Sequence, residues 1–128
     1  MKKFVVLFML VCLSQISFAN DKDKSLFAKA KELIKTENFS EAIPLLKLYA
    51  KDLDEKALKE VYLELANAYY GMNNKSETLK NLKLAITKAG LTEQDFIYTD
   101  VLNAEVSNFV WQYFYDNYDD LRKEYLKK

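Results

Sequence analysis

Most acid–base and metal chemistry in proteins relies on histidine, and this chain of 128 residues has none. Its single cysteine, Cys12, lies in an apolar run near the start. Past that run there is no thiol for a disulfide, a zinc–thiolate site or a nucleophile. Carboxylates, lysines, tyrosines and asparagines remain. Asp21, Asp23, Ser25 and Glu32 fall at the first, third, fifth and twelfth positions of a calcium-binding EF-hand loop, but Leu26 stands where the turn requires glycine, so no calcium is expected there. Asp119 and Asp120 form an acidic pair, yet Arg122 and Lys123 follow and point to a solvated helix face. Glycine occurs only at Gly71 and Gly90, which leaves no phosphate-cradling loop. No nucleophile–base pair or metal cluster can be assembled, so no enzyme and no cofactor is expected. A hydrolase working with carboxylates alone is the one exception the composition permits.

The elements that must position these residues begin after a leader-like segment. Lys2 and Lys3 precede the unbroken apolar run Phe4 to Leu13, too short for a stable transmembrane anchor. Ser17-Phe18-Ala19 places small residues where a leader peptidase accepts them, which predicts cleavage between Ala19 and Asn20. Residues 1–19 are thus read as a signal peptide, and 20–128 as one domain, periplasmic or secreted. Val11 before Cys12 argues against a lipoprotein signal. Without Lys2 and Lys3, 17 basic residues face 19 acidic ones, and Arg122 is the only arginine. Such a surface is not suited to nucleic acid.

Helical periodicity starts at once. Leu26, Ala30, Leu33 and Ile34 share a face, predicting a first helix over Lys24 to Thr36. Asn38 with Glu41 reads as a capping box ahead of a second helix to Asp52, with Pro44 near its start. Asp54 caps a third helix, Glu55 to Tyr70, which Gly71 ends in the left-handed conformation. Asn74 with Glu77 opens a fourth, which stops at Gly90. Thr92 with Asp95 opens a fifth that continues to about Tyr115, and a last helix covers Tyr118 to Lys127.

A shift of 36 residues superimposes the first helix pair on the second: Ala30 on Ala66, Asn38 on Asn74, Glu41 on Glu77, and Leu46-Lys47-Leu48 on Leu82-Lys83-Leu84. Asn-x-Ser-Glu recurs in register at the turn. A common origin as a repeated cap also explains why Asn38-Phe39-Ser40 and Asn74-Lys75-Ser76 fit the glycosylation pattern. On these residues the chain resembles a tetratricopeptide repeat (TPR) protein. Ala30, Leu33, Phe39, Ala42, Leu46 and Tyr49 fill the family's packing positions in the first unit, and Ala66, Tyr69, Lys75, Thr78, Leu82 and Ala85 fill them in the second. The period exceeds the family's, the helix-ending proline is absent, Tyr49 replaces a small residue and Lys75 replaces an aromatic. A third unit is echoed more loosely at Asn117-Tyr118-Asp119-Asp120-Leu121. The resemblance implies an all-α fold: antiparallel helix pairs stacked as a short right-handed TPR-like solenoid of about 2.5–3 repeats. An ordinary antiparallel bundle of duplicated helix pairs is the alternative.

In the family, the first helix of each pair lines a concave groove that holds a peptide or a partner helix. By register this implies a protein or peptide partner for Lys31 and Lys35 in unit one, Asn67 and Tyr70 in unit two, and Asn103 and Tyr113 in unit three. Phe27, Ile34, Leu63, Val106 and Val110 share those faces, with the core as the alternative place for Phe27, Ile34 and Leu63. The segment Phe109 to Tyr115 is the densest aromatic cluster. It either caps the end of the array or offers a face to a partner or a second subunit. The expected roles are a scaffold, assembly factor or holding chaperone, or else an antagonist neutralising one toxin or enzyme. A homodimer would compensate for so short a groove.

Overall fold

Scarce glycine and proline leave long stretches free to coil, and the computed structural model, which describes residues 22–127, contains no strand among them. The predicted leader, with Cys12 and the cut after Ala19, lies outside the described residues, as does Asp21. Six α-helices follow in order: α1 (Lys22–Lys35), α2 (Phe39–Ala50), α3 (Lys59–Gly71), α4 (Lys75–Thr87), α5 (Glu93–Tyr98) and α6 (Ala104–Leu126), with a 3-10 turn (Glu55–Leu58) leading into α3. None of them is long and apolar enough to cross a membrane.

The 36-residue repeat is visible in the backbone. Glu37 and Asn73 both take the left-handed conformation, at φ 63° and 59°. Asn38 N–H donates to Leu33 O at 2.7 Å, and Asn74 N–H to Tyr69 O at 2.8 Å. These equivalent bonds reverse the chain identically after α1 and after α3. The left-handed residue is therefore not Gly71, which remains within α3. Gly71 is needed for space instead, since a Cβ there would collide with the ring of Phe39.

The caps differ between units. The Asn74 side chain accepts from Glu77 N–H at 3.2 Å. Asn38 makes no such bond, because its amide turns back to donate to Thr36 Oγ1 at 2.9 Å. Asp54 likewise caps through its carbonyl, accepting from Ala57 N–H, and not through its carboxylate. Thr92 and Asp95 form the complete reciprocal box expected for α5. Pro44 sits inside α2 on the exposed side, where the carbonyl deprived of its partner meets water.

The third unit departs from expectation. The predicted helix from Thr92 to Tyr115 breaks at residues 99–103, and the predicted break near Asn117 does not occur. Thr99 Oγ1 accepts from Val101 N–H at 3.1 Å and favours a local turn. Leu102 is drawn into the core. At Asn117 the amide donates to Tyr113 O one turn back, so α6 runs on and stacks Tyr118 over Phe114 at 4.9 Å.

The helices α1, α3 and α6 lie edge to edge, while α2 and α4 form the opposite layer; α3 packs on both α2 and α4, and α6 packs on α4. Two apolar clusters result. Ala30, Ala42, Leu46, Val61 and Ala68 build one, and Leu63, Ala66, Leu82, Ile86 and Phe114 are central to the other. Helix α3 supplies both. This is why it is buried nearly all round, from Val61 to Ala68.

Candidate functional site

The edge-to-edge layer brings residues from three helices to one depression of about 260 Å³. Lys35 arrives from the end of α1, Asn67 and Tyr70 from α3, and Asn103 and Glu105 from the start of α6, with Ile34 and Val106 beside them. Four of the six residues implied by the family register are thus brought together. The Tyr70 ring packs against Phe109 at 5.4 Å, and the Lys75 ammonium stands 5.5 Å from the Phe109 centroid. Lys31 lies one turn away, over the ring of Phe27 at 4.7 Å. Tyr113 is not in this group. It packs half-buried against the core around Phe114, and burial pushes its phenol up.

Asn67 requires a correction. The family register implies a partner for it, but both halves of its amide bond this chain's own backbone. Its Nδ2 donates to Val101 O at 2.8 Å, and its Oδ1 accepts from Asn103 N–H at 3.0 Å. The side chain is 2% exposed, so both halves of the amide are committed. The strap 99–103 is pinned across α3. Val101 and Leu63 line a separate hollow of about 640 Å³, with Lys59, Asp95 and Tyr98. Ile34, Leu63, Val106 and Val110 are core, and Phe27 stacks on Tyr49 at 4.8 Å.

Glu64 was missed from the sequence. It lies on α3 and is 7% exposed. Desolvation is the main cause that pushes its carboxyl up to about 7; Lys31 and Lys35 oppose the shift, and Glu60 adds to it. A carboxyl in this position carries a mixed charge at neutral pH. Its signal was an acid inside the apolar run Val61 to Ala66. Asp95 goes the other way. The backbone hydrogen bond from Thr92, then Lys59 at 2.9 Å, hold its carboxyl below the usual range.

The aromatic segment serves two environments. Val110 and Phe114 are fully buried, with Phe96 stacked on Phe114 at 4.0 Å, so this side of α6 belongs to the core. Trp111 and Tyr115 stay on the surface, 5.1 Å apart. Asp119 and Asp120 are exposed, on the solvated face expected for them. Comparison with protein-family models, with curated proteins and with solved structures finds no match to this chain.

Proposed function

We propose that this chain is an exported protein-binding module of the TPR-like kind, which seats a short partner segment in the depression shared by α1, α3 and α6. The observation that carries this reading is the convergence of Lys35, Tyr70, Asn103 and Glu105, from three helices, on one 260 Å³ hollow. It combines charges of both signs with a half-buried tyrosine, a mixture suited to a polar peptide anchored by one side chain. With the strap pinned across α3, the partner presents a turn or a chain end. The lysine run at the N-terminus and the small residues before Asn20 support export, and the edge-to-edge helix order supports the repeat architecture. The cellular role is a scaffold, an assembly factor or a holding chaperone.

Site-directed photo-crosslinking in the native host tests this. A photoreactive residue at Lys35 is expected to trap one or a few proteins, and one at exposed Glu124 none. Adducts from Glu124 equal to those from Lys35 would abandon the hollow as the site. One stoichiometric adduct, an enzyme or toxin whose activity falls on binding, would favour the antagonist reading.

A further inference from the structure

The two layers leave a second cleft on the side away from Lys35. Helices α2 and α4 both pack on α3, and between them lies a hollow of about 350 Å³. Its floor is apolar, with Val61 and Leu65 at the bottom and Tyr62 and Leu84 on the walls. Its rim is cationic. Lys47 stands on α2 and Lys51 just past its end, and Lys80 stands on α4 with Glu77 at 3.9 Å. Three cations therefore face one anion.

The opposite character occurs on the same molecule. Between Lys88 and Arg122 there is no lysine or arginine, and the stretch carries seven acidic residues. That stretch forms α5 and most of α6. On its surface Trp111 is 53% and Tyr115 40% exposed, and Asp116, Asp119 and Asp120 are exposed on the same helix. Helical spacing sets Asp119 one turn beyond Tyr115 and Asp116 to one side of it, with Asp120 on the far side of the helix, so an aromatic patch flanked by acids on one side is the chemical complement of an apolar cleft bordered by lysines.

We propose that a second copy of this chain docks its α6 face, through Trp111 and Tyr115, into the cleft between α2 and α4, so that molecules associate head to tail. The two surfaces are different patches, so the contact is heterologous, and a pair keeps one free cleft on one copy and one free α6 face on the other. Association then grows with concentration beyond the dimer, and added salt weakens it because the rim charges are solvated. A flat anionic membrane would reach the lysines but not the apolar floor. Nucleic acid would gain nothing from that floor and would select arginine.

The test is sedimentation of the full chain over a dilution series, with two charge-reversed variants. Lys47→Glu/Lys51→Glu reverses the cleft, and Asp116→Lys/Asp119→Lys reverses the α6 face. All four positions are exposed, and circular dichroism verifies that each variant folds. Each variant alone is expected to self-associate about tenfold more weakly than wild type. Mixing the two restores association, because each face then meets its opposite charge. A wild type that stays monomeric throughout the series would overturn the proposal. So would variants that associate as wild type does, or a mixture that stays apart. A discrete dimer lost on Trp111→Ser but kept by the cleft variant would replace it with a symmetric α6 contact.

Discussion

At the scale of single residues, Asn67 and Glu64 show how position alters what a polar group does. Asn67 has both halves of its amide engaged with the strap, so Asn67→Ala would leave Val101 O and Asn103 N–H without partners. The expected loss is about 2–3 kcal/mol in a urea unfolding titration. A change within a few tenths would mean that water replaces the amide and that the strap is not anchored there. Glu64 leads to a pH prediction. Its folded pKa of about 7 lies above the ordinary value of 4.5, so the folded state holds a proton that the unfolded state releases. Stability should therefore be highest below the unfolded value and fall as pH rises through that window, by a few kcal/mol at most. Glu64→Gln should remove most of this fall and stabilise the protein at pH 8, with little effect at pH 4. Parallel wild-type and variant curves across the window would show that Glu64 is solvated in the folded state.

At the scale of elements, the ends of the helices depend on local geometry, and their faces depend on packing. Gly90 has φ 74°, and a Cβ there would come within 2.6 Å of the Tyr125 ring. Gly90→Ala should cost roughly 1–2 kcal/mol from the left-handed conformation alone, and more if Tyr125 cannot move. Calorimetry showing an unchanged melting temperature would mean that the turn relaxes. Ala66 is fully buried in the cluster beneath α6. Ala66→Leu should cost roughly 1–3 kcal/mol by overpacking. If the melting temperature holds, the helices can separate to admit the larger side chain. The repeated turns were legible because two asparagines, 36 residues apart, precede two helices. That the first would cap through its backbone alone was not, since a local rotamer decided it.

For the whole molecule, two apolar clusters meet on α3. The cluster under α1 and α2 has the fewer large buried side chains, and α1 packs mainly on α2. Native-state hydrogen exchange should find the α1 amides opening at lower free energy than those of α4, which lies between α3 and α6. Equal protection would mean that both clusters unfold as one unit.

The sequence by itself determined the all-helical class, the first two helix pairs and their 36-residue period. Apolar spacing and caps are local features, readable wherever a helix stands alone. The family register had assigned Lys35, Tyr70 and Asn103 to one face, and these three line one hollow. The tertiary structure decided the third unit. Whether the chain breaks at Asn117 or at residues 99–103 depends on Leu102 finding the core and on Asn67 holding the strap. Both partners are distant in sequence, so neither leaves a local trace. The same contact commits the Asn67 amide to this chain's own backbone, and sets residues 99–103 across the face on which the family resemblance implied a continuous groove.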